Sequence, residues 1–412
     1  MGDVNLPKHE FKMPFKILNH ELVVGNLPIS QLAARVGSTP FYAYDQQLIS
    51  ERVSQLRRHL PKDFAIHYAM KANPFPAVVA QLKALTDGFD VSSIKEIAVA
   101  LEAGMMPGNI SFSGPGKTEK EIVFAVKSGI VIHLESERQL ELTIAAGKTL
   151  GVTPKVAVRV NPDFEVKGSK MKMGGGAKQF GVDTNLVPGM LKKIAESDLH
   201  FEGFHIFSSS QNLNSEAIIE TLKNSFELTL RLAQTTSAPI KSLVIGGGFG
   251  IPYFPGDKPI DLPAIGKTMN EFFQEIKTRL PATKIAIELG RYLVGEAGVY
   301  ICKVIDKKIS CGHTFLIVDG GMNHHLAASG HLGQVIRKNY PVAIANKMDV
   351  APTETVSIVG PLCTPLDLLA DKVELPQAQI GDLVVIFQSG AYGLTASPIN
   401  FLSHDHPAEI SI

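Results

Sequence analysis

One feature constrains this chain more than any other. From about residue 44 to residue 290, short β-type runs alternate with helical patterns of 10–20 residues. Strands are expected near 64–71, 89–92, 110–113, 130–134, 155–161, 201–209, 242–246 and 284–288. Helices are expected near 44–60, 75–87, 94–104, 117–128, 136–150, 185–198, 215–235 and 262–280. Such alternation implies a parallel sheet, because each helix returns the chain to start the next strand in the same direction. Eight of each within roughly 250 residues matches a closed (β/α)8 barrel; an open, doubly wound sheet is the alternative. From about 291 the rhythm stops. Val299-Tyr300-Ile301-Cys302-Lys303-Val304, Leu383-Val384-Val385-Ile386-Phe387 and similar runs are β-type, with turn signals between them and no long helix. The expected architecture is α/β: a TIM-like barrel over 44–290 and a second, all-β domain of barrel or sandwich type. That domain takes 291–412 together with 1–43, where Glu21–Val24 is the one strand-like run.

Composition narrows the classes of function. Apolar residues make up 45% and charged residues 19%, enough to bury a large core in water. Lys+Arg and Asp+Glu balance at 40 each, which points to neither nucleic acid nor an anionic membrane as a partner. No apolar run approaches the ~20 residues of a membrane span. The start, Met1 to Phe15, has no apolar signal-peptide core, and Leu6 stands where a myristoylation signal needs Ser or Thr. Three scattered cysteines, Cys302, Cys311 and Cys363, fit a reducing cytoplasm better than a disulfide framework.

The strands carry chemistry on one face. In Phe64–Lys71, alternation sends Phe64, Ile66, Tyr68 and Met70 outward, and Ala65, His67, Ala69 and Lys71 inward. Asn73-Pro74 ends the run, so Lys71 stands at the C-terminal end of its strand, where barrel active sites are built. In the fifth strand Ala157, Arg159 and Asn161 face in, and an inward Arg needs an anion or a paired carboxylate. In the eighth, Ala286 and Glu288 face in, and a buried Glu needs a cation. Gly246-Gly247-Gly248-Phe249-Gly250 follows the seventh strand, where barrels often bind phosphate. Ser93 with Glu96 reads as a capping box for the next helix, a structural role that could account for Glu96 completely. The adjacent His324 and His325 point in different directions and have no evident carboxylate partner, so no metal is expected.

Taken in order, these elements resemble the fold-type III pyridoxal-phosphate decarboxylases, the diaminopimelate and ornithine decarboxylase family. Tyr68-Ala69-Met70-Lys71-Ala72-Asn73 is similar to its Schiff-base lysine motif, Asp90-Val91-Ser92-Ser93 with Glu96 to its D-V-x-S-x-x-E, and Arg159-Val160-Asn161-Pro162 to its R-x-N-P. Gly246 to Gly250 resembles the phosphate loop, Glu288-Leu289-Gly290-Arg291 resembles E-P-G-R, and Asp319-Gly320-Gly321-Met322-Asn323 the segment opening the substrate side. Gly360-Pro361-Leu362-Cys363 is similar to G-P-x-C and Gly390-Ala391-Tyr392 to G-A-Y. Order and spacing hold from about residue 40 to the C-terminus.

The resemblance implies decarboxylation of an amino acid with pyridoxal 5'-phosphate. It makes Lys71 the residue that carries the cofactor, with Asp90, Arg159, Phe207 and Gly290 beside it. Glu288 would keep the ring nitrogen protonated, and Gly246, Gly247, Gly248, Ser210, Arg291 and Tyr392 would hold the phosphate. Cys363 would return a proton to the substrate carbon, arriving from the partner subunit of a homodimer. His324, Thr364 and Asp367 fall on the substrate side. Departures are informative. Phe207 replaces the family's ring-stacking His, Gln179-Phe180-Gly181 replaces K-F-G, Thr364 replaces the acid after the cysteine, and His324-His325-Leu326-Ala327-Ala328 replaces R-P-x-L-Y. The segments Met171–Gly181 and Gly250–Pro255 look most like decarboxylases of biosynthetic clusters, exosortase-associated or acting on a carrier-protein-bound glutamyl group. A substrate tethered at its far end, presented by an acyl or peptidyl carrier protein, is the expectation. Decarboxylation of free diaminopimelate, amino-acid racemisation and a non-catalytic binding role stand as alternatives.

Overall fold

In this computed structural model, which describes residues 12–165, 171–236 and 238–412, eight parallel strands close on themselves. The N-terminal positions read above for a leader or acyl signal, 1–11, lie outside the described residues. The strands are β1 (Ala65–Ala69), β2 (Gly88–Val91), β3 (Ile110–Phe112), β4 (Val131–Leu134), β5 (Lys155–Asn161), β6 (His200–Ile206), β7 (Ser242–Gly246) and β8 (Lys284–Leu289). Each pairs in parallel with the next, and β8 returns to β1 through Glu288↔His67 and Leu289↔Tyr68. The sheet is therefore a closed barrel and not an open one.

Helices occupy all eight expected places, from Gln46–His59 before β1 to Leu262–Arg279 before β8. Their ends are written in the sequence. Ser93, Ser136, Asn214 and Asp261 each accept a backbone N–H of the first turn. Thr118 and Glu121 close a full capping box. At Ser93 the reciprocal half differs from the expected box: the Glu96 carboxylate accepts from Ser92 N. The outward strand residues Ile66, Tyr68, Val156, Val158, Val160, Ile285 and Ile287 are all buried, as the parity of the strands requires.

The chain forms two compact units. One comprises Arg52–Ile251 and Pro259–Tyr292 and contains the barrel; the other comprises Met1–Glu51, Pro252–Lys258 and Leu293–Ile412. In the second unit a mixed sheet runs in the order Val342–Ile344, Leu383–Ile386, Gly298–Ser310, His313–Val318, Glu354–Val359, Leu368–Leu375. Phe41–Tyr44 joins it, antiparallel to Gly298–Ser310 and parallel to the C-terminal strand Ala408–Ser411. Its core gathers Leu22, Val24, Phe41, Val299, Ile301, Val385 and Phe387. The segment before residue 40 also holds an amphipathic helix, Ile29–Val36, which strand-like reading had passed over; it buries Ile29 and Leu32 and stops at Gly37 in the left-handed conformation.

A register shift in the barrel wall demands glycine. Gly203 lies at a register shift between β5 and β6 with φ +145, and a Cβ there would stand 1.9 Å from Ser242 O. Gly189, in the helix Val187–Ala195, has nothing within 4 Å of an added Cβ. Gly203→Ala should cost at least ~3 kcal/mol of stability, and Gly189→Ala should add roughly 0.5–1 kcal/mol. Urea melts of the two variants beside the parent check both signs.

Candidate active site

The site lies at the C-terminal ends of the barrel strands. Lys71 sits one residue into the 3₁₀ turn Met70–Ala72 that follows β1. Tyr68 Oη donates to Asn73 O (2.9 Å) and Phe75 N to Asn73 Oδ1 (3.0 Å), which fixes the turn. Gly290 passes so close that a Cβ would meet Ala72 Cβ at 2.9 Å. Lys71 Nζ lies 3.9 Å from Glu288 Oε1 and 5.1 Å from the centre of the Phe207 ring. The Lys71 side chain is 35% exposed and that of Glu288 0%, so the amine can be reached by a ligand while the carboxylate is held beneath it.

Glu288 Oε2 is 3.0 Å from His205 Nε2 on β6. Burial pushes His205 well below the usual imidazole range. The ring is therefore neutral, and a proton on Nε2 makes it the donor to Glu288. His205 stacks on His133 of β4, centroids 4.3 Å apart. His133 Nδ1 meets Ser113 Oγ at 2.9 Å, and Ser113 and Ser111 both donate to Asp90 Oδ1, at 2.7 and 2.8 Å. Asp90 on β2 and Glu288 on β8 thus flank the strand that ends in Lys71. Burial first, and repulsion from Glu288 second, raise the Asp90 pKa to about 7.

A second buried cluster stands beside the first. Arg159 Nη1 donates to Glu135 Oε1 at 2.9 Å, and its guanidinium lies 4.9 Å from the Phe180 ring centre. Glu135 also accepts from Gly114 N (2.6 Å) and Gly181 N (3.1 Å), and Lys117 Nζ is 3.8 Å away. Burial alone would raise Glu135, but Arg159 and Lys117 outweigh it and hold the pKa down. The anion that Arg159 needed is this carboxylate, and the pair ties the loop at Gly181 to β4 and β5.

The glycine run after β7 has no room for side chains. A Cβ on Gly246 would stand 2.4 Å from the Phe207 ring, and one on Gly247 2.5 Å from Leu289; Gly248 adopts φ +66. Phe207 is thereby wedged between the glycine run and Lys71. Ser209 borders this loop, 2.8 Å from a Cβ on Gly248, while its neighbour Ser210 pairs with Met171; Arg291 opens the short helix Arg291–Val294.

These residues fit pyridoxal phosphate. Glu288 Oε1 and Asp90 Oδ2 are buried and have no hydrogen-bond partner among the described residues. A buried carboxylate oxygen left without a donor is costly, and a protonated ring nitrogen is the kind of donor it lacks. Phe207 offers a flat face beside the amine, and the glycine run ends β7, where barrels often bind phosphate.

In the second unit Cys363 is exposed in the loop from Gly360 to Asp367. The Asp367 carboxylate accepts from Met322 N (2.6 Å) and Leu362 N (2.8 Å) and so joins that loop to the Asp319–Asn323 segment. Thr364 N donates to Leu362 O within the loop. His324 is buried, with Nδ1 3.2 Å from Tyr300 Oη and Nε2 3.0 Å from Asp405 O; burial lowers its pKa to about 4. His325 Nε2 meets Ser389 Oγ at 2.9 Å. Tyr392 follows Gly390 with φ 52. The reading of the sequence assigned no role to Ser111, Ser113, Lys117, His133, Glu135 or His205. The signal was present in the parity of β3 and β4, which turns Ser111, Ser113, His133 and Glu135 to the face shared by Lys71 and Glu288.

Residues 46–295 match the family described as the pyridoxal-dependent decarboxylases, pyridoxal binding domain. The L-glutamyl-[BtrI acyl-carrier protein] decarboxylase of Niallia circulans is 38% identical over 90% of this chain and 88% of its own length. The 2-[(L-alanin-3-ylcarbamoyl)methyl]-2-hydroxybutanedioate decarboxylase of Staphylococcus aureus is 30% identical over 92% and 95%. Among solved structures, diaminopimelate decarboxylase from M. jannaschii, in co-complex with L-lysine, superposes with a TM-score of 0.88 at 25% identity, covering 97% of this chain and 92% of that one. The chain belongs to the fold-type III pyridoxal-phosphate decarboxylases, the diaminopimelate and ornithine decarboxylase family. It is a carboxy-lyase that uses pyridoxal phosphate to remove CO2 from a small amino-acid substrate. Among the described residues no helix is long and apolar enough to cross a membrane.

The raised Asp90 pKa has a consequence for stability. The folded chain keeps this proton up to about pH 7, against 3.8 for an ordinary aspartate. Between those values the folded state binds more protons than the unfolded one, so the contribution of Asp90 to stability falls as pH rises. Asn at this position removes the slope. Cofactor-free Asp90→Asn should therefore gain on the parent as the pH is raised from about 5 to about 8, in urea melts taken across that range.

Proposed function

We propose that this enzyme decarboxylates an amino acid whose far end is acylated or carried by a carrier protein, and that it works as a homodimer with shared sites. The observation that carries the substrate reading is the loop after Cys363. Thr364 stands where the family has an acid, and the nearby acid, Asp367, is engaged by Met322 N and Leu362 N. A distal ammonium finds no carboxylate there, and the uncharged stretch Leu326-Ala327-Ala328 supplies no guanidinium for a distal carboxylate. The Niallia relative, named for a glutamyl group on an acyl-carrier protein, supports a tethered substrate. Three unpaired cysteines support a cytoplasmic setting.

The family resemblance proposes the roles, and the geometry supports them. Lys71 would hold the cofactor covalently. Glu288, fixed by the His205 N–H, would accept the ring N–H, with Asp90 on the other side of β1. Phe207 would offer its ring to the cofactor in place of a titrating His. Gly246, Gly247, Gly248, Ser210, Arg291 and Tyr392 would hold the phosphate. Gly290 lets β8 close on the lysine turn, and Arg159 acts through Glu135 to hold the neighbouring loop. When bound, pyridoxal phosphate supplies the electron sink for the pair left on the α-carbon as CO2 departs. Cys363 of the partner subunit returns a proton to that carbon. His324 and Asp367 shape the second unit's loops, and Thr364 faces the substrate.

Lys71→Ala should abolish turnover and the visible absorbance of the covalently held cofactor without loss of fold. Glu288→Gln should retain the absorbance and lose about a hundredfold or more in kcat. Near-normal turnover in either variant would remove its residue from the chemistry.

Mixing inactive Cys363→Ala with inactive Lys71→Ala protein should restore part of the activity, because each mixed dimer then contains one intact site. If subunits exchange and no activity returns, Cys363 does not act across an interface.

Steady-state CO2 release decides the substrate. An acylated or carrier-linked amino acid should turn over. Free diaminopimelate, lysine and ornithine should not, since loss of a charged partner in a desolvated pocket costs ~2–5 kcal/mol. Ordinary rates on the free amino acids would overturn the tethered reading and leave the cofactor chemistry intact.

A further inference from the structure

TIM barrels ordinarily fill their interior with layers of bulky branched side chains. At the N-terminal end of this barrel, opposite the lysine, the filling is missing. A cavity of about 620 Å3 opens there, bordered by Ala65 of β1, Ala157 of β5 and Ala286 of β8, where a barrel would normally carry Val, Ile or Leu. The volume falls within the range of small-molecule sites, roughly 300–1,000 Å3.

The cavity has a chemically distinct floor and rim. His67 reaches its inner end, and its Nδ1 is buried with no hydrogen-bond partner among the described residues. The ring is accommodated by Gly88, where a Cβ would stand 2.8 Å from His67 Nε2 and 2.6 Å from Asn109 O. Four cations and three anions line the cavity. Two of the cations are matched: Arg57 by Asp87 at 2.6 Å and Lys241 by Glu202 at 3.5 Å. Lys62 and Lys284 have no ion pair among the described residues, against the one remaining acid, Asp63. The excess is positive at the mouth, the alanine wall is apolar, and His67, His133 and Ser111 add polar groups to the lining.

We propose that this cavity is a second ligand site, for a small organic anion with an apolar body: the carboxylate or phosphate head at Lys284 and Lys62, the body against Ala65, Ala157 and Ala286. It requires nothing of the substrate reading above and lies at the other end of the barrel from Lys71.

The test uses the holoenzyme, with hexanoate as the probe and hexylammonium, of the same body and opposite charge, as its control. Binding is followed by calorimetry and by saturation-transfer NMR. Hexanoate should bind saturably, and hexylammonium at least tenfold more weakly. Ala65→Phe, which fills the cavity, should abolish hexanoate binding. Lys284→Glu, an exposed change that leaves packing alone, should weaken it at least tenfold. Both variants should keep the visible absorbance of the bound cofactor, since neither residue borders the cofactor site. No saturable binding to the parent, equal binding of the two probes, or binding unchanged in Lys284→Glu would each overturn the proposal; should Ala65→Phe fail to fold, the Lys284→Glu result stands by itself.

Discussion

The structure turns on a carboxylate that has no access to water. Glu288 is buried at the end of β8 with one oxygen on His205 and the other 3.9 Å from Lys71. Stranding such a charge would be strongly destabilising. It is tolerated because strands from opposite parts of the sequence bring donors to it, which only a closed barrel can do: Glu288 and Lys71 are neighbours because β8 pairs with β1. The neutral His205–His133 stack links Glu288 to the Ser113–Asp90 group without adding a second positive charge. Asp90 gives way instead: burial first, and repulsion from Glu288 second, hold its proton toward neutrality.

Phe207 shows what the chain gains and loses by departing from its family. The ring lies beside Lys71, its centre 5.1 Å from Nζ, and Gly246 is glycine because nothing larger could lie against it. An aromatic hydrocarbon stacks as well as an imidazole but neither titrates nor donates. Proton control at the site then rests on Glu288, Asp90 and the lysine, with His205 and His133 kept neutral by burial.

Strand parity made Lys71, Arg159 and Glu288 legible in the sequence, because a polar side chain on an otherwise small inward face has few places to go. The partners of these residues were less legible. Glu135, which neutralises Arg159, and His205, which holds Glu288, come from adjacent strands around the barrel, and adjacency in a closed sheet is written in no local pattern. Asp367, three residues beyond Thr364, reads as a group for the substrate side; the structure adds that its oxygens accept from Met322 N and Leu362 N, and that Gly321 and Gly360 are glycines because the carboxylate fills their Cβ positions. The helix Ile29–Val36 escaped notice because only Ile29 and Leu32 are buried, too few to announce a helical period.

That same Asp367 clamp bears on specificity. It fixes the loop of Cys363 through backbone bonds within the second unit, so the loop's shape does not depend on a charge supplied by substrate. With Thr364 where an acid would read a distal ammonium, discrimination cannot come from repulsion, for there is no like charge to repel. A neutral pocket rejects free diamino acids only by failing to repay the desolvation of their distal charge. On the tethered reading proposed above, a linked substrate would be accepted because the linkage removes that charge, with the binding energy for turnover drawn from contacts to the tether instead. On that reading, an uncharged Thr364 selects by leaving the wrong substrate solvated outside.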